Sequence, residues 1–445
     1  MDKVVTRIPR LATIFAVSVA TTAMAYRGAW PTLAEAFWLV ASASAIYGAL
    51  SCSSRAIRVV CGGFYLLLLI SLRLPTPLRS IGLDFYTFYN GAHHLFDMHE
   101  SPYLAPGATA FPFPTFHLAY LLSVAGRITQ ESTFLYFVGL QAFLLGVCLI
   151  LSYRLTNEEF PGHARTCSSR LLQAGLLFQP AVLNGIGLGN SPVVAGVALM
   201  WAVWFWRRGA SRWSMHSSAI CVNLAWMIKP QLLMATAFFL SCWLLKWRNN
   251  TLPRAARIGR LIIPWAIGLM VISLPMGFPG SVLAYRDFPK IAFIWHTRIV
   301  ESSTNNFAPA SIIAKAMARL WHLRVSETLP ILAIGIAIFT LLWNILSLAS
   351  DRVDTLRAFL PWLLASLLWT SLVWDMYLSL VLAGHLIIVG VLSEDRGPRI
   401  NFPRLLFCVG VGLTTVVSSF AYTLGILLLY FCCQELRSQE ICQEG

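Results

Sequence analysis

The sequence predicts an all-α polytopic membrane protein with roughly twelve to fourteen transmembrane helices, and three observations support this fold class. First, 57% of the 445 residues are hydrophobic and only 12% are charged, whereas soluble proteins carry about 25% charged residues. Second, apolar stretches close to the ~20 residues that cross a bilayer recur along the whole chain. Third, basic residues gather in the short segments between these stretches, as in the cytoplasmic loops of membrane proteins.

The predicted spans follow one another without an evident internal repeat and form one integral membrane domain over residues 1–445. They lie near residues 11–26, 33–50, 57–73, 116–128, 134–153, 170–187, 191–206, 215–229, 231–247, 259–276, 329–349, 355–371, 375–393 and 403–433. The last stretch is long enough for one long helix or two shorter ones. The first follows Lys3, Arg7 and Arg10, a pattern typical of a cleavable signal peptide. An uncleaved first helix that starts in the cytoplasm is the alternative that we favour.

The distribution of Lys and Arg predicts which loops face the cytoplasm. Basic clusters lie at residues 55–58, 207–212, 246–260, 352–357 and 396–404, and we place all of them inside. The outer side then receives two long loops, residues 74–115 and 277–328, and short connections at 187–190, 229–231 and 371–375. Nearly all unusual polar residues lie in these outer segments. The candidate site is therefore expected to face outward, towards the periplasm if the membrane is a bacterial inner membrane.

One stretch conflicts with this orientation. Loop 74–115 is predicted outside and the basic loop 154–170 inside, yet two apolar spans lie between them where an odd number is required. Either residues 116–128 form a short re-entrant or interfacial piece, or loop 154–170 departs from the charge rule. Acidic residues carry little topological weight, so both alternatives stay open.

Several classes of function find no support in the composition or the motifs. The net charge is +14, but the basic cytoplasmic loops explain it, so nucleic-acid binding is not expected. The ten Cys residues lack paired metal-ligand spacing, and most lie in apolar stretches as small buried hydrophobes. No phosphate-binding glycine loop, dinucleotide fingerprint or zinc-type His pair is present in the sequence. No cofactor is predicted, and no spacing demands a metal, although a shared ion between Asp84 and Asp97 stays an open alternative.

The most informative residue is Asp84, an acid at a membrane boundary among aromatic side chains. A carboxylate in that place is costly unless it has a function, which makes Asp84 the candidate catalytic residue. Residues 85–96 show helical spacing of aromatic side chains and are expected to lie in the interface plane. The candidate substrate-binding residues on this segment are Tyr86, Tyr89 and His93. The alternatives are that Asp84 caps the helix and that the His residues form a solvated face.

Two short outer connections carry further polar residues. Residues 187–192 are rich in Gly, Asn and Pro, for which a tight turn is the default interpretation. Lys229 and Gln231 interrupt a long apolar run, and both are candidate substrate-binding residues. Lys229 can neutralise a phosphate as a point charge. A Lys that snorkels from a helix end explains the same pattern equally well.

The second long outer loop and a short outer segment hold the remaining candidate substrate-binding residues. They are His296, Arg298, Asn305, Asn306, Trp374 and Asp375. His296 and Arg298 can hold an anionic headgroup or a diphosphate, although interfacial anchoring explains the same residues. Residues 308–320 are expected to form a short amphipathic helix. Asp375 is a second acid in an unusual place, where an aromatic belt with a helix cap is the alternative.

The order of these motifs resembles glycosyltransferase family 87, the polyprenyl-phosphate-mannose-dependent mannosyltransferases of the C-type membrane fold. The matching elements are Asp84-Phe85-Tyr86, Pro102-Tyr103, Phe113-Pro114, Gly189-Asn190, Lys229-Pro230, Asn305-Asn306 and Trp374-Asp375. Each element is weak alone, but their order and their shared outer side make the set more specific. It covers roughly residues 57–393, so the first two spans look like additions before the core of the family.

The resemblance implies an inverting enzyme that moves one sugar, mannose, from a polyprenyl-phosphate donor to a lipid or glycan acceptor at the outer face of the bilayer. It also implies Asp84 as the base. This assignment agrees with the chemistry, because a hydroxyl nucleophile needs a positioned carboxylate to take its proton. The leaving lipid phosphate needs nearby cations, which Lys229, Arg298 or His296 can supply. A lipid-linked donor also explains why the sequence holds no nucleotide motif.

The chain departs from the family pattern at one position. The family often has a Trp-x-His arrangement where this chain has Trp374, Asp375 and Met376. The role of that His is open unless His296 or His385 takes it, and the donor sugar can then differ from mannose.

Two other classes of function stay open. A transporter or flippase of lipid-linked sugars places ionisable groups near the bilayer midplane, often at broken helices within inverted repeats. Here the mid-span positions are nearly uncharged and the polar groups crowd the outer loops. A glycan ligase or polymerase shares the compartment and the lipid phosphate, but it transfers a whole chain where the family transfers one sugar.

Overall fold

Helices make up the regular structure of the part of the chain that the computed structural model describes. The described residues are 33–52, 54–73, 82–104, 121, 129–159, 166–208, 212–248, 263, 266–267, 270, 286–288, 290, 306–348, 356–370, 373, 375–393, 402–415 and 419–444. Within these ranges there is no β-strand, which confirms the predicted all-α class. The predicted spans near 11–26, 116–128 and 259–276 lie wholly or almost wholly outside them.

The helices are numbered here in chain order. The first nine are α1 Leu33–Ser51, α2 Arg55–Arg73, α3 Leu83–Phe96, α4 Gln130–Glu159, α5 Cys167–Leu177, α6 Pro180–Leu188, α7 Pro192–Arg207, α8 Arg212–Ile228 and α9 Leu233–Arg248. The others are α10 Pro309–Trp321, α11 Val325–Leu348, α12 Leu356–Leu368, α13 Leu382–Leu392, α14 Phe402–Thr415 and α15 Ser419–Glu444. Short 3₁₀ helices cover Pro102–Leu104, Pro230–Leu232 and Asp375–Leu380.

Two helices are each long and apolar enough to cross a bilayer, namely α4 over Gln130–Glu158 and α11 over Val325–Leu346. Both present large apolar side chains outward: Phe143 of α4 is 68% exposed and Ile331 of α11 is 72% exposed. Such faces are costly in water and suited to lipid, so the protein is membrane-embedded. The remaining apolar helices of the described part are shorter, and the predicted count of spans stays a prediction.

A proline divides one predicted span. Residues 170–187 read as a single apolar stretch, but the structure has α5 and α6 with a bend of 41° between them. Pro180 begins α6, lacks a backbone N–H and disfavours a helical conformation at the residue before it. The pair counts as one span only if a broken helix crosses the membrane. The stretch near 403–433 is also divided, into α14 and α15, which selects the second of its two predicted alternatives.

The chain divides into two units, each assembled from separated segments. The first comprises residues 1–76, 153–181 and 303–445, and the second comprises residues 77–152 and 182–302. In the first unit α14 packs against α15 and α1, and α2 packs against α1 and α5. In the second unit α7 and α8 form an antiparallel pair, and the Pro102–Leu104 turn packs on α3.

Small residues and a polar network hold the C-terminal helix α15 in the first unit. Gly425 of α15 lies so close to α14 that a Cβ atom there would be 2.7 Å from the Gly410 carbonyl oxygen. On another part of α15, the Tyr430 hydroxyl donates to Asn344 Oδ1 of α11 (3.1 Å), and Gln434 Nε2 donates to the same oxygen (2.9 Å). Close backbone approach and interhelical hydrogen bonds are the main sources of helix association in lipid, where apolar burial contributes little.

We expect Gly425→Ala to lower the melting temperature of the detergent-solubilised protein. The added methyl group would lie 2.7 Å from both the Gly410 carbonyl oxygen and the Thr414 side chain, and because the backbone oxygen cannot rotate away, such overpacking costs about 1–3 kcal/mol. Gly335→Ala is the matched control, because Gly335 also lies inside a helix but has open space around it. Size-exclusion chromatography of heated samples measures both. Equal melting temperatures for the two variants would contradict the close approach of α14 and α15.

Candidate functional site

The start of α3 places Asp84 in the first turn of a helix. The helix begins at Leu83, and the residue before it, Gly82, adopts a positive φ of 73°. The Gly82 N–H donates to the Gly187 carbonyl oxygen over 2.8 Å, which attaches the start of α3 to the end of α6. Asp84 is therefore not the N-cap, and the capping alternative is wrong. A negative charge in the first turn still interacts favourably with the helix dipole.

An aromatic core holds α3 against α4. Phe85 and Phe88 are fully buried, and the Phe85 ring lies 5.2 Å from the Phe137 ring and 5.6 Å from the Phe134 ring. Met227 from the end of α8 joins the same cluster. Burial of each such side chain contributes about 1.5–3 kcal/mol. The predicted helix over residues 85–96 is confirmed, with a start two residues earlier.

The turn between α6 and α7 supplies the hydrogen-bond partner of Asp84. Asn190 Nδ2 donates to Asp84 Oδ2 over 2.6 Å, although the two residues are 106 positions apart in the sequence. Asn190 is completely buried. Its own backbone N–H donates to the Gly185 carbonyl oxygen over 2.9 Å. The turn therefore delivers an amide group to the carboxylate at a fixed place.

Gly189 allows this turn to approach α3. Its φ is 72°, in the left-handed region that other residues adopt at a cost. A Cβ atom at this position would also overlap the Phe85 side chain. The tight turn predicted for residues 187–192 is confirmed, and close contact with α3 is what requires the glycine.

Lys229 lies directly after α8, in extended backbone before the Pro230–Leu232 turn. Its side chain is only 2% exposed, so it does not snorkel to solvent. Burial lowers the pKa of the Lys229 ammonium to about 8, and the negative charge of Asp84 opposes this shift. Because that pKa is still above 7, the group is mostly protonated at neutral pH. Lys229 is the charged partner of Asp84 in the second unit.

Asp84 is half-buried, and its environment acts on its charge in two directions. Burial raises the pKa of the Asp84 carboxyl above its ordinary value, while the hydrogen bond from Asn190 and the positive charge of Lys229 lower it. Burial is the largest of these effects, so the pKa stays raised. A carboxylate with a raised pKa, an amide donor and a nearby cation is an arrangement found at catalytic and binding sites.

The other candidates on α3 follow Asp84 along the helix. Tyr86 and Tyr89 are half-buried, and the Tyr89 ring lies 4.5 Å from the His93 ring. His93 Nδ1 contacts Asp97 Oδ2, and His94 pairs with Glu100 over 3.5 Å. Both contacts lie on a partly exposed face of the helix, so a solvated His face stays an alternative for these residues. Gln231 lies half-buried in the turn after Lys229.

Two predicted motifs meet within the first unit. Asn306 Oδ1 accepts hydrogen bonds from the Ala308 N–H (3.1 Å) and the Val373 N–H (3.0 Å), and the Phe307 N–H donates to the Val373 carbonyl oxygen (2.8 Å). Residues 306–308 are thereby attached to Val373, the residue before Trp374 in the sequence. Asn306 has this structural role whether or not it binds a substrate. The expected amphipathic helix at 308–320 is confirmed as α10.

Several predicted site residues lie outside the described part of the chain. They are His296, Arg298, Asn305 and Trp374. Asp375 and Met376 begin the Asp375–Leu380 3₁₀ helix. His385, one of the two candidates for the family His, is fully buried in α13 of the first unit, where its ring lies 6.4 Å from Phe407.

The described residues contain no group of three or more His, Cys, Asp or Glu side chains that could hold a metal ion. Comparisons with protein-family models, with curated proteins and with solved structures found no match to the chain. The chemistry of the site therefore has to be inferred from its own residues.

Sequence reasoning did not select Asn190 as a site residue. The Gly-Asn-Ser-Pro pattern around it is that of an ordinary turn, and nothing local pairs it with Asp84. The usable signal in the sequence was the Gly189-Asn190 element, which is one of the elements that carry the resemblance to the family. Only the packing of α3 on the turn shows which residue that side chain reaches.

We expect the stability of the protein to rise with pH between about 8 and 10.5, because Lys229 loses its proton near pH 8 in the folded protein but near 10.5 in the unfolded chain. Over that window the unfolded chain binds more protons, so the free energy of unfolding increases with pH. Lys229→Met should remove this rise. Melting temperatures at pH 8 and pH 10 measure it.

Lys290→Met is the control for this measurement, since Lys290 is exposed and acts on Asp287. That variant should keep the wild-type dependence on pH. Parallel pH profiles for wild type and Lys229→Met would show that Lys229 keeps an ordinary pKa and is not the buried partner of Asp84.

Proposed function

We propose that this protein is a membrane glycosyltransferase of C-type architecture, with roughly twelve to fourteen spans and an active site at the periplasmic face of a bacterial inner membrane. It transfers one sugar, mannose, from a polyprenyl phosphate to a lipid or glycan hydroxyl. The acceptor oxygen forms a bond to C1 of the sugar while Asp84 takes the hydroxyl proton. The bond between C1 and the phosphate oxygen breaks, the configuration at C1 inverts, and polyprenyl phosphate leaves.

The observation that carries the proposal is the setting of the Asp84 carboxylate. It accepts a 2.6 Å hydrogen bond from a buried amide and has a buried lysine as its charged partner. A general base must be held in position and must have a pKa suited to the reaction. Partial burial raises the pKa of Asp84 above that of a carboxylate in water, which makes the group a stronger base. The side chain is only half-buried, so part of it stays accessible from outside the packed core.

The same setting supports a phosphate-bearing donor. Lys229 carries its positive charge at neutral pH in a place from which bulk water is largely excluded. A cation in such surroundings stabilises charge that develops on a leaving phosphate more strongly than a solvated cation does. Arg298 and His296 are proposed to complete the phosphate site.

Aromatic side chains next to Asp84 support a sugar site. Tyr86 and Tyr89 are half-buried on α3, and the His93 ring contacts the Tyr89 ring in a tilted arrangement. Aromatic walls with a few polar groups are typical of small-molecule sites. We include these three residues, together with Gln231, Asn305, Asn306, Trp374 and Asp375, among the substrate-binding residues.

A transporter of lipid-linked sugars is the second candidate, and one observation favours it. The bend of 41° between α5 and α6 resembles the broken helices on which transporters build their substrate sites. The two candidates differ in their products, since a transporter leaves the sugar-phosphate bond intact. A glycan ligase or polymerase is separated by the size of the product.

We expect Asp84→Asn to reduce sugar transfer by about 10²-fold or more, the usual contribution of a general base. Purified protein in lipid would be mixed with radiolabelled polyprenyl-phosphate mannose and a lipid extract, and the labelled acceptor would be counted. The wild-type rate should fall on acidification, because Asp84 must be ionised to take a proton. Its raised pKa places this fall at a higher pH than an ordinary aspartate would.

Glu131→Gln is the control for this assay, since Glu131 is an exposed carboxylate in the first turn of α4. It should keep wild-type transfer. Full activity in Asp84→Asn would exclude Asp84 as the base. Uptake of an intact labelled donor into proteoliposomes, with no transfer to any acceptor, would favour the transporter instead.

A further inference from the structure

We propose that Asn190 is the positioning residue for the base: its amide holds Oδ2 of Asp84, so that the other carboxylate oxygen, Oδ1, takes the proton of the acceptor. This inference rests on the proposed function and assigns a role to a residue of the same site. The inference is supported by the two hydrogen bonds of the Asn190 amide group, one from its nitrogen and one to its oxygen.

The orientation of the Asn190 amide is determined by the backbone. The Ser191 N–H donates to Asn190 Oδ1 over 2.8 Å. A backbone N–H can only donate, so the oxygen of the amide must face Ser191 and the NH₂ group must face Asp84. An ionised carboxylate can only accept, which makes this the one orientation that satisfies both partners.

Asn190 and the start of α3, the helix that carries Asp84, are both attached to the end of α6 by backbone hydrogen bonds. The Asn190 N–H donates to the Gly185 carbonyl oxygen, and the Gly82 N–H at the start of α3 donates to the Gly187 carbonyl oxygen. The carbonyl groups that hold Asn190 and the start of α3 therefore lie only two positions apart in the sequence. Such backbone attachment limits rotation of Asp84 more firmly than a contact between two flexible side chains.

The hydrogen bond from Asn190 leaves one carboxylate oxygen of Asp84 to accept a proton. Among the described residues, the hydrogen bond to Asp84 ends on Oδ2, and none reaches Oδ1. Lys229 is the charged group that acts on Asp84 from the neighbouring elements of that part of the chain. Donation by Asn190 also favours the ionised form of Asp84 against the effect of burial. The residue therefore fixes the direction of the base and favours its ionised form.

The sharpest test is Asn190→Asp, because this change keeps the shape of the side chain and an oxygen that accepts from the Ser191 N–H. It removes only the donor that faces Asp84 and puts a second negative charge there. Asn190→Ala removes the donor without adding charge. Infrared titration follows the carboxyl stretch of Asp84, which is identified by its loss in Asp84→Asn and requires no donor or acceptor. Asn223→Asp is the control, since Asn223 is a buried amide in the same unit whose side chain bonds Ala219 and Trp226 within α8.

We expect the titration midpoint of Asp84 to move up by about one pH unit in Asn190→Ala and further in Asn190→Asp, and to stay unchanged in Asn223→Asp. In the transfer assay, the acidic limb of kcat should move by the same amount, while KM for the donor stays near its wild-type value. A residue that only stabilises the turn would lower the yield of folded protein without moving either pH profile.

An unchanged Asp84 midpoint in both Asn190 variants would overturn the proposal. Transfer by wild type combined with an unchanged midpoint would remove the role of Asn190 and leave the glycosyltransferase standing. A shifted midpoint in a protein that transfers no sugar from any lipid-linked donor would overturn glycosyl transfer, and with it a catalytic meaning for the contact.

Discussion

The Asp84 carboxylate is held partly out of water next to aromatic residues, and other groups must offset the free energy that this costs. The second unit depends on this requirement. Removal of an ionised group from water costs several kcal/mol. A hydrogen bond to a charged group returns about 1.5–3 kcal/mol. Asn190 supplies that bond and Lys229 supplies the opposite charge. Three segments far apart in the chain, namely α3, the turn after α6 and the turn after α8, must therefore stay together.

The apolar packing around Asp84 makes this meeting possible. Phe85 and Phe88 secure α3 against α4, and the positive φ of Gly189 lets the turn after α6 come close to Phe85. A site built in this way is held in position before any substrate arrives, which is the condition under which fixed charges and dipoles act most strongly on a reaction.

The first unit is also held together by close packing and buried polar groups, but here they join helices to one another. Its helices associate where apolar burial contributes little, so close approach at Gly425 and the Asn344–Tyr430–Gln434 network supply specificity. A link in this unit from Asn306 to Val373, next to two predicted motifs, is made by backbone and amide groups. In both units a buried asparagine joins segments that the sequence separates widely.

The sequence by itself determined the helical, membrane-embedded character of the chain, because composition and the length of apolar stretches are local properties that a bilayer selects directly. It also singled out Asp84, since an acid among aromatic residues is unusual wherever the chain folds. Local signals further predicted the turn at residues 187–192 and the helices over residues 85–96 and 308–320. Pro180 carried the signal for the break between α5 and α6, which the length of the apolar run concealed. Only the tertiary structure decided that Asn190 is the hydrogen-bond partner of Asp84 and that Lys229 is buried and acts on its charge. Packing of side chains that are 106 positions apart, as Asp84 and Asn190 are, leaves no trace in local periodicity.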